Sequence, residues 1–451
     1  MPDVSIPSST PAKSSSPLTV FLVLAVLHIP LGLAMRSSPL VATAHAWLTV
    51  VVGVFLAATG NVRRIVCVCA YIAACEVLWR MSDALIFWET GKLLVALLIG
   101  VSIVRLGLVA RGGIAPLYFL LLLPSAMATF ASVPLDWARQ EISFNMTGPF
   151  VLMACTWFFH NVQWDGEDMT WVFLSMILPI ITTSLVGVHF MATHDMMFGS
   201  GSNSVTSGGF GPNQVSVILG LGAYLCFLLL TLSPYRSNLV FTIAMGVGLL
   251  GLTAHSAITF SRGGLYSLAS GALGSSLFLL ATPKARIRLI LAVVAFVVVG
   301  GFYILPRMDK FTSGALMHRL EDSRTTGRDK LMEFDWLCFQ RNPIFGVGPG
   351  KVTLLMEGAV DNRIVAHTEI TRLPAEHGIF GVAALLILGL IALQNIRRNN
   401  TTSGKAISVG LMLWVLMTML HAAMRLAAPG FIFGLAAAKL LPDSTEPPKN
   451  R

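Results

Sequence analysis

Charge is scarce in this 451-residue sequence, where Asp, Glu, Lys and Arg together make up 12%, against about 25% in soluble domains. Hydrophobic residues make up 55%, which is more apolar surface than a water-soluble core can absorb, so a soluble globular enzyme is excluded. The 31 Lys and Arg exceed the 22 acidic residues, giving a net charge of +9. These charges punctuate helix ends instead of clustering on one face, which argues against a nucleic-acid partner. Cysteine is limited to six residues, Cys67, Cys69, Cys75, Cys155, Cys226 and Cys338, mostly inside apolar runs. Cys67-x-Cys69 lacks both metal spacing and a second pair to complete a site. A cleavable leader is not expected either, because the Ser/Pro-rich start has only Lys13 as a basic residue.

Long apolar runs are abundant. They recur from residue 18 to residue 441 in lengths of about 17 to 22 residues, close to the ~20 that a helix needs to span a bilayer. The fold expected is all-α, a polytopic transmembrane helix bundle of 12–14 spans with one large polar loop containing short helices. Placing the N-terminus inside sends Arg63 and Arg64, Arg111, Arg236, Lys284 with Arg286 and Arg288, and Arg397, Arg398 and Lys405 to the inner face, as the positive-inside rule requires. Only the acidic link Asp165 to Asp168 dissents. Five regions follow: 1–17, a disordered cytoplasmic tail; 18–305, an N-terminal bundle; 306–375, an outer loop; 376–441, C-terminal spans; and 442–451, a cytoplasmic tail.

The outer loop holds ten Lys/Arg and nine Asp/Glu, too balanced for a polybasic lipid-binding segment. Its stretch from Arg324 to Gln340 predicts a helix, ended by Asn342-Pro343, and a second helix is expected from about Ala366 into the next span. Three positions are fit for chemistry. Arg262, in Ser261-Arg262-Gly263-Gly264 at the mouth of a span, is either an arginine snorkelling to the interface or an anion ligand. Its two glycines let backbone or ligand come close. Arg328, in Gly327-Arg328-Asp329, can grip a phosphate bidentately. The following Gly346-x-Gly348-Pro349-Gly350 lacks the Lys-Ser/Thr of a P-loop and reads as a tight turn. His367 is chemically fit to take a proton from a hydroxyl near pH 7, although a loop histidine can also be merely solvated. Arg372 lies close to it, and His377 stands at a span entry that it could stabilise. A base and fixed cations on one membrane face suit transfer from a lipid-linked diphosphate, with the arginines holding the leaving group. No acidic cluster with metal spacing accompanies them.

Four segments in this order resemble the superfamily of bacterial O-antigen ligases and Wzy-type O-antigen and exopolysaccharide polymerases, membrane glycosyltransferases with a GT-C-like fold. They are Thr259-Phe260-Ser261-Arg262-Gly263-Gly264, Gly327-Arg328 with Trp336, Asn342-Pro343-Ile344-Phe345-Gly346-Val347-Gly348-Pro349-Gly350, and His367 followed by Glu376-x-Gly378-x-x-Gly381. The likeness covers about 250 to 395. It implies His367 as catalytic base and Arg262 and Arg328 as diphosphate ligands; from the arginines and the missing acidic cluster, no cofactor or metal is expected. The family commonly has His-Asn where this chain has His367-Thr368, and Arg372 is an added cation, a second phosphate ligand or a brake on the histidine's basicity. Phe210-Gly211-Pro212-Asn213-Gln214 resembles exopolysaccharide members and favours a polymerase over a ligase.

The resemblance further implies an undecaprenyl-diphosphate-linked oligosaccharide donor and a lipid-linked acceptor, the lipid of a bacterial inner membrane, a periplasmic active face, and a flippase and chain-length regulator as pathway partners. A rival reading, a transporter of the same lipid-linked sugars, predicts mid-membrane charges and internal repeats. No convincing repeat is evident, and Glu76 with Arg80 is the one clear acid-base pair at helical spacing. His421 and Arg425 form a second polar spot at a helix end. A passive assembly scaffold would leave Arg262, Arg328 and His367 unexplained.

Overall fold

A computed structural model describes residues 4–5, 17–199, 201–322, 328–357, 368–421 and 424–441. Helices α1 (Pro17–Ser37), α2 (Pro39–Thr59), α3 (Val62–Met81) and α4 (Thr90–Arg105) are followed by two short ones, α5 (Ala115–Leu120) and α6 (Leu123–Phe130). Next come α7 (Leu135–His160), α8 (Gly166–Thr193), α9 (Pro212–Leu232), α10 (Leu239–Ile258) and α11 (Gly263–Leu279). A long apolar rod, α12 (Pro283–Ala295), runs through a π-helical stretch (Phe296–Ile304) into α13 (Leu305–Phe311). The polar connection carries α14 (Ala315–Glu321), α15 (Arg328–Arg341) and α16 (Lys351–Glu357), and the chain ends with α17 (Glu369–Arg398), α18 (Thr402–His421) and α19 (Ala427–Leu435).

The all-α, multi-pass architecture expected from composition is what forms: among the described residues, nine helices are long and apolar enough to cross a membrane. Helix α3 is long enough but carries Arg63, Arg64, Glu76 and Arg80, whereas α4 and α11 have only 16 and 17 residues. The apolar helix before the loop runs on to Phe311, and α17 begins at Glu369.

The N-terminal tail is less featureless than expected. Val4–Ser5 (β1) pairs in parallel with Val162–Trp164 (β2), which pairs in parallel with Lys439–Leu440 (β3). These three stretches therefore share one end of the bundle, and an even number of crossings must separate each pair. Among the described residues before β2, only α1, α2 and α7 have span length and apolarity. That number is odd, so α3, α4 and the α5–α6 pair together supply an odd number more.

Helix α9 is the axis of the bundle, with 89% of its apolar window buried, while the rod Ala285–Phe311 has 6% buried and lies on the rim. Close approach needs small residues, since lipid tails are as apolar as leucine and helices associate through packing and local hydrogen bonds. A Cβ at Gly220 would overlap the Gly264 carbonyl, so α9 and α11 touch backbone to backbone. Toward the other end of α11, Ser275 Oγ donates to Ala406 O at 2.9 Å and lies 2.8 Å from the Tyr224 hydroxyl of α9.

Helix α17 is broken near its start, where Gly378 adopts φ 61°, ψ −141°. A kink frees carbonyls that a bilayer interior cannot solvate. The glycine run after Asn342-Pro343 repairs them: Val347 N donates to Ala375 O and Gly348 N to Glu376 O, both at 2.9 Å, and Ile379 N returns a bond to Pro343 O at 2.8 Å. Gly346, Gly348 and Gly350 all take positive φ to make this clasp. A Cβ on Gly378 would overlap the Ile344 carbonyl. Gly378→Ala is therefore expected to destabilise the protein by more than about 3 kcal/mol, seen as loss of the monodisperse peak in detergent size-exclusion chromatography.

Candidate functional site

Among the described residues, the expected site residues Arg262, Arg328 and Arg372 lie at or near the starts of three helices. Arg262 is the N-cap residue of α11. The preceding residues are fixed by hydrogen bonds: Ser261 Oγ donates to Asn213 Oδ1 at 2.8 Å, and Ser216 Oγ donates to Ser261 O at 2.7 Å. Phe260 takes φ 58°, uncommon for a bulky residue, and its carbonyl accepts from Arg319 Nε at 3.1 Å. The two following glycines admit protein, since a Cβ at Gly263 would overlap the His421 ring and one at Gly264 the Ser216 carbonyl. The Arg262 guanidinium donates to Asp322 O, so it faces the connection that leads to Gly327-Arg328.

Arg328 opens α15. His367 lies outside the described residues, as does Gly327; the next residue, Thr368, is buried and caps α17 by accepting the Thr371 amide at 3.3 Å. Helices α15 and α17 are bonded directly, because Thr371 Oγ1 donates to Asp335 Oδ2 at 2.5 Å. Arg328 lies seven residues before Asp335, about 10 Å along the helix axis. Burial pushes the Asp335 carboxyl up to about 6, although the Thr371 hydrogen bond and the Arg372 charge oppose the shift.

Arg372 is placed differently from Arg262. It is buried, with Nε and Nη2 on Glu369 Oε2 at 3.1 and 2.7 Å and Nη1 on Glu376 Oε2 at 2.5 Å. Its charge is already met by two carboxylates. Glu369 Oε1 accepts the Met424 amide at 2.5 Å and Glu376 Oε1 the Gly350 amide at 2.9 Å. The triad thereby locks the start of α17 to the glycine clasp and to the α18–α19 link. That same use of amides rules the glycine run out as a phosphate cradle: Val347, Gly348 and Gly350 N–H are engaged with α17. His377 is buried too, with Nδ1 against Ser125 Oγ and 3.1 Å from Leu122 O, and so ties α17 to α6, as a residue stabilising the span entry would.

The sequence reading gives no role to Glu369, Glu376 (present only within a motif) or Asp335. The first two were findable, because 369, 372 and 376 fall on one helical face at i, i+3 and i+7. Arg425 was noted only as a polar spot. Its guanidinium stacks over the Phe144 ring at 5.4 Å, and burial, with Arg372 adding to it, brings its pKa down to about 10 against the pull of Glu369, Glu376 and Glu141. It therefore stays cationic at neutral pH. Glu76 and Arg80 extend this network: Arg80 Nη2 donates to Glu76 Oε1 at 2.5 Å and to Arg425 O at 3.3 Å, and Glu76 Oε2 accepts from Ala427 N at 2.7 Å.

Residues 248–386 match the family model described as O-antigen ligase. That stretch of the chain is similar to the O-antigen ligase family. The matched stretch runs from α10 past the kink in α17 and contains Arg262, Arg328, His367 and Arg372, in agreement with the resemblance read from the motifs. No curated protein matches the chain. Within the matched stretch, the clasp joins two of the motifs, Asn342 to Gly350 and Glu376 to Gly381, into one structural unit.

Two outcomes follow from these contacts. Removing the cation leaves two buried carboxylates unpaired, so Arg372→Met is expected to destabilise by about 3 to 5 kcal/mol, measured as a lowered thermal midpoint in detergent. Asp335 has its folded pKa raised above the ordinary value of 3.8 to about 6. Its contribution is then fully present below pH ~4 and lost as pH rises toward ~6. The thermal midpoint is expected to fall over that window, and Asp335→Asn to flatten the fall.

Proposed function

We propose that this protein is a polysaccharide polymerase of the bacterial inner membrane that transfers a glycan from an undecaprenyl-diphosphate donor to a hydroxyl of a lipid-linked acceptor glycan on the periplasmic face. His367 takes the proton from the acceptor hydroxyl as its oxygen bonds to the anomeric carbon of the donor sugar. The bond from that carbon to the diphosphate oxygen breaks, and the diphosphate leaves with the electron pair. Arg262 and Arg328 stabilise the charge that grows on it, so the reaction as proposed uses no metal ion. A single displacement of this kind inverts the anomeric centre.

The observation that carries this reading is the bond from Arg262 to the Asp322 carbonyl. It joins the mouth of α11 to the connection entering α15, while Asp335 joins α15 to the first turn of α17, directly after His367. Arg372 takes a positioning role in this scheme, since its guanidinium is held by Glu369 and Glu376. The description of the matching family as O-antigen ligase favours a second reading, transfer to the lipid A core, which uses the same base and clamp.

His367→Ala is expected to abolish chain growth while the protein stays folded and inserted. The check is to supply purified protein with lipid-diphosphate-linked repeat units in detergent and to size the products on a gel; long chains from the alanine variant would refute the base. Chelator is expected to leave activity intact, and complete loss would refute the metal-free scheme. Offering repeat units with and without lipid A core separates polymerase from ligase.

A further inference from the structure

The connection between α3 and α4 belongs to none of the machinery above, yet it walls a cavity of about 240 Å³ lined by Glu76, Trp79, Arg80, Asp83, Phe87 and Trp88. This is slightly below the ~300 Å³ of the smallest drug-sized pockets and gives room for one or two sugar units. Its chemistry is mixed in a particular way. Trp88 carries the Arg80 guanidinium over its ring at 4.2 Å and is still 45% exposed. Arg80 is buried, and its Nε makes no hydrogen bond among the described residues. Asp83, held in left-handed backbone at φ 51°, has a side chain 78% exposed. Gly91 packs directly against the Glu76 side chain, which keeps that wall close.

A flat indole beside a carboxylate and a buried guanidinium donor matches a pyranose. The C–H face of the ring, slightly positive, lies against the negative face of an aromatic, and a carboxylate accepts hydrogen bonds from neighbouring hydroxyls. A lipid tail would have no use for Asp83 and Arg80. Position also matters: Arg80 Nη1 donates to Gln214 Oε1 at 2.9 Å, and the adjacent Asn213 accepts from Ser261, the residue before Arg262. The first turn of α9 therefore links the cavity wall to the start of α11.

We infer that this cavity is a binding subsite for a sugar unit of the acceptor glycan, with Trp88 as stacking platform and Asp83 and Arg80 as hydroxyl ligands. The assignment to the acceptor rests on the transfer reading above. Purified full-length protein in detergent is titrated with two probes: the oligosaccharide released by mild acid from the host strain's lipid-linked repeat unit, and sugar-free undecaprenyl diphosphate. Wild-type protein is expected to bind the oligosaccharide saturably, Trp88→Ala about tenfold more weakly, and Trp88→Phe within about threefold of wild type. Undecaprenyl diphosphate is expected to bind all three alike. Should Trp88→Ala lose its folded size-exclusion profile, Asp83→Ala, at an exposed position, decides the matter in the same titration.

Equal oligosaccharide binding by folded Trp88→Ala, no binding by wild type, or loss of undecaprenyl diphosphate binding instead overturns the subsite. Binding does not depend on turnover, so the two readings fail separately. Wild-type protein that binds sugar but transfers nothing refutes the transferase alone, and transfer with unchanged acceptor affinity in Trp88→Ala refutes the subsite alone.

Discussion

Much of this structure rests on one buried cation between two carboxylates. Arg372 is held by Glu369 on one side and Glu376 on the other, and each carboxylate passes a second bond to a different part of the chain, the Met424 amide and the Gly350 amide. Such a group is tolerated in an apolar bundle only when every charge is paired and every lone pair is used. The arrangement therefore specifies where the start of α17, the glycine clasp and the α18–α19 link must sit relative to one another. Asn145, 3.4 Å from Arg372 Nη1, brings α7 into the same register.

The break in α17 is the counterpart of that anchor. Past Pro374, a straight helix to Arg398 would have satisfied its own backbone, whereas the turn at Gly378 exposes carbonyls that the clasp has to collect. Motifs separated by about two dozen residues thus form one unit, and the glycines in both serve close backbone approach. This leaves the anion-binding part of the proposed chemistry to side chains, with the Arg262 guanidinium facing the connection into α15.

The network continues beyond the matched domain. Residues 424 to 427 give backbone groups to Glu369, Arg80 and Glu76 in turn, so α3, from the N-terminal half, is tied to the start of α17 through the last link of the chain. The Glu76–Arg80 pair and Arg425, which the sequence shows only as two separate polar spots, belong to a continuous polar seam. A seam of this kind couples the α3–α4 cavity to the arginine-bearing start of α11 through Gln214 and Asn213.

The sequence by itself determined the class of protein, because hydrophobic runs near 20 residues and scarce charge leave few folds open, and helix length is a local property. It also located α15 to within a few residues and read the run at Gly346 to Gly350 as a turn, since proline and glycine act on their own backbone. What the tertiary structure decided was everything that depends on distant partners. Arg372 looks like a free cation until Glu369 and Glu376 are seen on both sides of it, and Gly378 looks like an ordinary helix glycine until its carbonyl-bearing neighbours meet Val347 and Gly348. The two glycines after Arg262 admit helix α9 and the His421 ring. Electrostatic pairing and backbone repair are set by which helices touch, and no local pattern records that.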